Sequence, residues 1–312
     1  MADTDNYNEL TPEMFIKLPD SEKSSEIITM ESKTYAREAW DRFRQNKIAV
    51  AGLIFMALII GVAIFGPILS QYSYYGQNIA TRNSPPSATH WFGSDVFGRD
   101  IFVRVAHGAR ISLSIGFTAA FINLIIGTII GGTAGFFGGK LDMVLMRFVD
   151  ILYSIPVMFY VILILLIFGP SVFSVIVAIC ISHWVGMARI VRSQVLTLKE
   201  QEFALAAQVI GASKKRILFK HLILNSMGPI IATMTLMIPS AIFTEAYLSF
   251  LGIGISVPRA SWGSLAQEAQ HLMDTHPIQI IWPVGAICLT MFALNFIGDS
   301  LGDALDPKKR SR

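Results

Sequence analysis

Few residues in this sequence are placed to do bond chemistry. His271 and His276 stand five apart, a spacing that splays them around a helix, so no metal pair is expected there. His183 lies beside Trp184 in an apolar run and reads as a packed, hydrogen-bonded histidine. The string Gly135-Phe136-Phe137-Gly138-Gly139-Lys140 comes nearest to a phosphate-binding loop. It lacks the four-residue spacing and the Ser/Thr that would hold magnesium, and reads instead as packing or ending a helix. No Gly-x-Ser-x-Gly and no His-Glu-x-x-His occur. Cys180 and Cys288 each sit in an apolar run and read as small hydrophobes. The catalytic inventory is empty, and neither a metal nor any other cofactor is expected to be bound by this chain.

Charge is more informative than nucleophiles here. Glu245 lies inside an apolar run, where an ionisable group needs a partner or a task. As a functional group it would meet substrate, pass a proton or gate a pathway. As a structural one it would tie helices together through hydrogen bonds. No second acid or histidine in such a run completes a relay, which favours the structural role. Asp142, Arg147 and Asp150 are expected to pair among themselves.

The richest stretch runs from Glu202 to Lys220. In Glu202-Phe203-Ala204-Leu205-Ala206-Ala207-Gln208-Val209-Ile210, helical spacing puts Phe203, Ala206, Ala207 and Ile210 on one face, and the two alanines lower it enough for another helix to come close. Gly211 then ends the helix. Ser213 can cap a second one through Lys214, Lys215, Arg216 and onward to Lys220. Three cations in a first turn oppose the helix dipole by about 0.3–1 kcal/mol each, so an acidic protein groove or lipid phosphate must favour them. The pattern predicts a docking elbow. A lipid-bound amphipathic loop is the alternative.

The elements that must carry this elbow are membrane helices. Hydrophobic residues are 53% of the 312 and charged residues 15%, with a mean hydropathy of +0.54. A water-soluble domain carries about 25% charged residues, so this chain cannot cover its own core with polar surface. A net charge of +3 is too balanced for a nucleic-acid binder. Apolar runs predict six spans, at roughly 48–70, 111–135, 148–168, 172–190, 229–251 and 281–299. The run 151–188 is divided into two spans because a single helix of that length would be roughly 57 Å long, and Gly169-Pro170-Ser171 supplies the turn. With the N-terminus inside, 20 of the 25 Lys and Arg fall on the cytoplasmic side, so both termini are expected there.

The remaining segments divide as follows. Residues 1–34 carry eight acids and three bases and read as a disordered cytoplasmic tail, with no basic front end for a cleaved signal. Residues 35–47 place Ala36, Ala39, Trp40 and Phe43 on one face of an interfacial helix, or else continue the first span. Residues 71–109 are extracytoplasmic, 110–302 form a five-helix core that includes the cytoplasmic loop 199–225, and 303–312 are a basic cytoplasmic tail.

At these residues a resemblance emerges. Glu202 to Asn225 resembles the EAA loop of ABC-importer permeases, with Ala206-Ala207-x-x-x-Gly211 at the family's spacing. His90-Trp91-Phe92-Gly93-Ser94-Asp95 with Gly98-Arg99-Asp100, Gly108 to Leu113, Glu245 to Gly252, and Gly298 to Pro307 resemble the C-type permease of oligopeptide and dipeptide importers. The resemblance spans roughly Tyr35 to Pro307. It departs at Ile223-Leu224, where the family usually has Leu-Pro, and at Leu205, where strict alignment would put a glutamate.

This likeness implies an all-α, type I importer permease of six transmembrane helices in a bacterial cell membrane. It implies a second homologous permease as heterodimer partner, two cytoplasmic ABC ATPase subunits that hold the ATP and Mg, an extracytoplasmic peptide-binding protein, and surrounding lipid. The chain itself would not be an enzyme. A nickel-chelate importer of the same family is the alternative substrate class. A secondary transporter would need ion-coupling residues and would leave the cationic elbow unexplained. An integral-membrane hydrolase would need a nucleophile–base pair.

Overall fold

A computed structural model describes residues 34–255 and 258–305, and among them the regular secondary structure is helical, apart from one isolated bridge between Ser94 and Asp100. The 1–34 tail, but for Thr34, lies outside the described residues, as does 306–312. Eleven helices follow in order: α1 (Tyr35–Gln45), α2 (Lys47–Leu69), α3 (Ile101–Phe137), α4 (Gly139–Ser154), α5 (Val157–Phe168), α6 (Val172–Lys199), α7 (Glu202–Val209), α8 (Lys214–Arg216), α9 (Met227–Phe250), α10 (Trp262–Gln270) and α11 (Ile278–Leu305). The bundle has two ends, named here by what they carry. The loop end holds residues 70–100 and α10; the elbow end holds α7 and α8.

Five helices are long and apolar enough to cross a membrane: α2, α3, α6, α9 and α11. The span expected at 148–168 is not a single helix. Its residues divide between α4 and α5, which meet at a bend of 83°. The cause is local. Pro156 pushes Ile155 out of helical backbone to φ −88°, ψ 125°. The 12 residues of α5 reach only about 18 Å, short of the roughly 30 Å of hydrocarbon, so a sixth crossing would need both helices. α3, α6 and α11 are longer than the spans expected there, and α3 starts at Ile101, inside the segment assigned to the 71–109 loop.

α3 is the central post, lying against α6, α9 and α2. Its closest approach is to α6, through Gly127, Gly131 and Gly135 at four-residue spacing. A Cβ on Gly131 would stand 2.1 Å from the Ala188 carbonyl oxygen, so only glycine lets the backbones meet there. Asp100 caps α3, its carboxylate accepting from the Val103 amide at 2.9 Å. Gly138, at φ +63°, ends it, as expected for the Gly135–Lys140 string. Met56, Leu113, Ile238, Ile242, Trp262 and Leu294 form the core nearer the loop end. Met187, Val191, Leu218, Leu222 and Ile230 form it at the elbow end. α1 seats Phe43 against Ala304 of α11, while Trp40 of the expected apolar face stays exposed.

Candidate functional site

The elbow is two short helices joined by a left-handed glycine. α7 stops at Val209 and Gly211 takes φ +80°, with its amide donating to the Gln208 carbonyl at 3.0 Å. Open space surrounds the position where a Cβ would sit, so the backbone conformation alone selects glycine. Ser213 caps the next helix, its hydroxyl accepting from the Arg216 amide at 3.4 Å. After α8 the helix widens to π geometry over Ile217–Ile223. Helical backbone then carries on through Leu224 to α9, in line with the missing Leu-Pro.

α7 does not present the expected four-residue face. Ala207 is 5% exposed and packs with Ala204 into the chain's own core against Leu218, Leu222 and Val191. Helix rotation separates it from its neighbour: Ala206 is exposed, as are Phe203, Leu205, Val209 at 86% and Ile210 at 83%. The small residue at 207 therefore brings α7 close to its own bundle, and the free surface is Phe203, Ala206 and Ile210 with Leu205 and Val209. Glu202, Lys214, Lys215, Arg216 and Lys220 are exposed around it and make no ion pair among the described residues. An apolar patch ringed by cations is the surface of a part made to be covered.

The loop end is built the opposite way. Asp95 Oδ2 accepts from Arg99 Nε at 2.6 Å and from Arg104 Nη1 at 2.7 Å. Glu268 of α10 accepts from Arg99 Nη2 at 2.5 Å and from both Arg104 nitrogens at 2.8 and 2.9 Å. Arg104 is only 2% exposed. Burial alone would raise the Glu268 carboxyl, but Arg104 and Arg99 overcome it and hold the group below the usual carboxylate range. Beside this quartet His90 Nδ1 meets Asp100 Oδ2 at 2.8 Å.

Glu245 is fully buried. It accepts from Ser112 Oγ of α3 and Ser249 Oγ of α9, each at 2.8 Å. Ser112 in turn accepts from the Trp262 amide at 3.3 Å, so the carboxylate joins α3, α9 and α10.

A family model for the "Binding-protein-dependent transport system inner membrane component" matches residues 110–311. This chain belongs to that permease family. A second model, "N-terminal TM domain of oligopeptide transport permease C", matches 34–86 and places the permease in the oligopeptide and dipeptide branch of the ABC importers. The oligopeptide transport system permease OppC of Bacillus subtilis (strain 168) is 49% identical over 286 residues, 92% of this chain and 94% of that one. The dipeptide permease DppC of the same organism is 44% identical over 98% and 96%. OppC of Escherichia coli (strain K12) is 43% identical over 93% and 96%. An inward-facing structure of the MetNI methionine ABC transporter shares the fold, with a TM-score of 0.52 at 18% identity, over 65% of this chain and 96% of that one. The permease is thus a multi-pass membrane protein.

Two ionic features of the permease differ from the sequence reading. Asp142 and Asp150 do not pair with Arg147: Asp142 takes Arg192 of α6 through two bonds of 2.5 and 2.6 Å, and Asp150 takes Arg189 at 2.8 Å. All three lie on α4, while the facing helix α6 supplies the cations. The Asp95–Arg99–Arg104–Glu268 quartet carried no expected role at all. Its signal was present, since Arg99, Arg104 and Arg110 sit on the side where Lys and Arg are scarce and so need partners. His183 is packed as expected, its ring against the Ile179 carbonyl at 3.1 Å.

Proposed function

We propose that this permease forms one half of the translocation pathway of an ATP-driven peptide importer, and that the elbow transmits the work of partner ATPases. In this reading the elbow end and both termini are cytoplasmic, and the loop end faces outward. A second homologous permease completes the pathway, two ABC ATPase subunits dock at the elbow with their ATP and Mg, and an extracytoplasmic binding protein delivers the peptide. The carrying observation is the uncovered patch of Phe203, Ala206, Val209 and Ile210 beside Lys214, Lys215, Arg216 and Lys220. Peptide as cargo rests on the names of the oligopeptide and dipeptide relatives.

The test is reconstitution. The tagged chain is purified from its host with co-eluting subunits identified, and the assembly is placed in liposomes. ATP-dependent uptake of labelled di- and oligopeptides, stimulated by the binding protein, is the expected result; uptake of a nickel chelate instead would change the cargo alone. Transport by the chain without an ATPase would overturn the reading. For orientation, an impermeant thiol reagent should label Ser87→Cys from outside, since Ser87 is exposed, and should leave Ser213→Cys untouched.

A further inference from the structure

We propose that the seam between α2 and the loop end is a binding site for an acyl chain of a membrane phospholipid. A cleft of about 620 Å³ opens there, walled by α2, residues 70–72, residues 88–91 and the start of α3. Its polarity changes along its length. Along α2 and just past its end the lining runs from Leu58, Val62 and Phe65 to Gln71 and Tyr72, and Tyr72 stacks on His90 beside Thr89. That is the polarity profile of an amphiphile: tail below, headgroup above.

Four observations favour a lipid over a partner helix. Only 22% of the apolar window of α2 is buried within the chain, and Leu58 and Phe65 belong both to that exposed surface and to the cleft. From Leu58 to Ser70 the helix rises about 18 Å, the depth of roughly one leaflet, whereas a crossing helix would need a groove through both. Trp91 stands at the polar part and is 62% exposed, a placement that suits an indole at headgroup level. The residues lining the cleft include no Lys or Arg, and its one acid, Asp100, is engaged by His90 at 2.8 Å, so the site selects a tail and not an anionic headgroup.

The cleft also lies on a boundary. α2 belongs to the unit matched at 34–86, the core match begins at residue 110 within α3, and the cleft's residues 88–102 lie in the stretch between the two. An acyl chain lodged between them would fill the joint where two separately recognisable units meet.

The intact assembly would be placed in nanodiscs of palmitoyl-oleoyl phosphatidylethanolamine and phosphatidylglycerol, doped with a phosphatidylethanolamine carrying a diazirine on its acyl chain. Photolysis and peptide mapping should enrich label on residues 58–72 and 88–102 over α5, whose exposed Phe159 and Leu166 report ordinary lipid contact. Gly61 lines the cleft with open space around its Cβ position, so Gly61→Trp should fill it and cut labelling about tenfold, the effect of excluding roughly two methylene groups. Ala88→Trp, on the exposed loop above, should do the same by blocking the mouth should Gly61→Trp insert poorly. Label no denser than on α5, or label indifferent to both variants, would overturn the site. None of these readings depends on transport, so the importer assignment stands or falls separately.

Discussion

The loop end and the elbow hold similar densities of charge and treat it in opposite ways. Asp95, Arg99, Arg104 and Glu268 come from the loop before α3, from α3 itself and from α10, and close on one another inside the chain. Lys214, Lys215, Arg216 and Lys220 stand exposed beside apolar side chains that nothing among the described residues covers. A charge removed from water is costly unless it is paired, so the first group must be complete within the fold. An exposed cation keeps its hydration, so the fold need not pair it. The loop end is therefore a finished structural joint, and the elbow, in the function proposed above, is a surface whose complement lies on another molecule. Each prediction below tests that division.

Arg104→Ala should have the largest effect on the chain itself. It leaves two carboxylates to share Arg99, and breaking a buried pair typically costs about 3–5 kcal/mol. The loss should appear as a sharply lower unfolding temperature of the detergent-solubilised protein. Arg104→Lys should recover only part, since one ammonium cannot span Asp95 and both Glu268 oxygens. The same joint sets an acid limit. Because Glu268 is held below its ordinary range, its contribution is fully present above the unfolded value of about 4.3 and is lost as pH falls through the lower folded value. Stability should thus be level from neutrality to about pH 5 and fall below about pH 4, with Glu268→Gln flattening that acid limb. An unfolding temperature indifferent to Arg104→Ala would mean the quartet does not hold the joint.

Ala206 and Ala207 are neighbours in sequence that fall on opposite sides of the division. Ala207→Trp overfills the chain's own core and should cost about 1–3 kcal/mol of stability with or without partners. Ala206→Trp projects from the free surface, so it should leave insertion and unfolding temperature unchanged while weakening ATPase co-purification. Equal destabilisation by both would erase the distinction between packed and presented faces. Wild-type coupling in Ala206→Trp would remove the elbow from the ATPase interface.

That pair also marks how far sequence reading reaches. Apolar runs placed five spanning helices, because membrane helices must be apolar around most of their circumference. They could not show that Pro156 breaks the sixth, since composition is blind to a bend. The Phe203–Ile210 pattern located the elbow but assigned Ala207 to the wrong side. One alanine is like another in sequence, and only packing against Leu218 and Leu222 separates them. The quartet was legible only in part. Its arginines stood out as misplaced positive charge, but Glu268 lies 164 residues from Arg104, and nothing local links them.

Glu245→Gln should have a smaller effect. Ser112 and Ser249 both donate to the carboxylate, whereas a glutamine has a single acceptor oxygen, so one hydroxyl must turn to accept from the amide. The exchange should cost about 1 kcal/mol and leave assembly and uptake substantially intact. Stable, assembled Glu245→Gln that hydrolyses ATP but moves no peptide would transfer this residue from the fold to the pathway.

The smallest effect belongs to the elbow cations and is visible only against a partner. Replacing Lys214, Lys215 and Arg216 together with glutamine removes three exposed charges, so the unfolding temperature of the chain alone should not move measurably. Docking should weaken by about 0.2–1 kcal/mol for each exposed pair lost, a modest decrease in ATPase affinity at low salt. Salt dependence is the sharper readout. Charges at a solvent-exposed rim are screened within about 8 Å at physiological ionic strength, so wild-type docking should weaken as salt rises. The triple variant retains only the apolar contacts of Phe203, Ala206, Val209 and Ile210, and its affinity should be nearly flat over the same range. The two curves should therefore converge at high salt. A lipid-bound loop predicts a different pattern: the variant would lose affinity for anionic vesicles and keep the wild-type ATPase titration at every salt concentration. That outcome would make the elbow's cations a membrane contact and leave its apolar surface as the whole of the docking site.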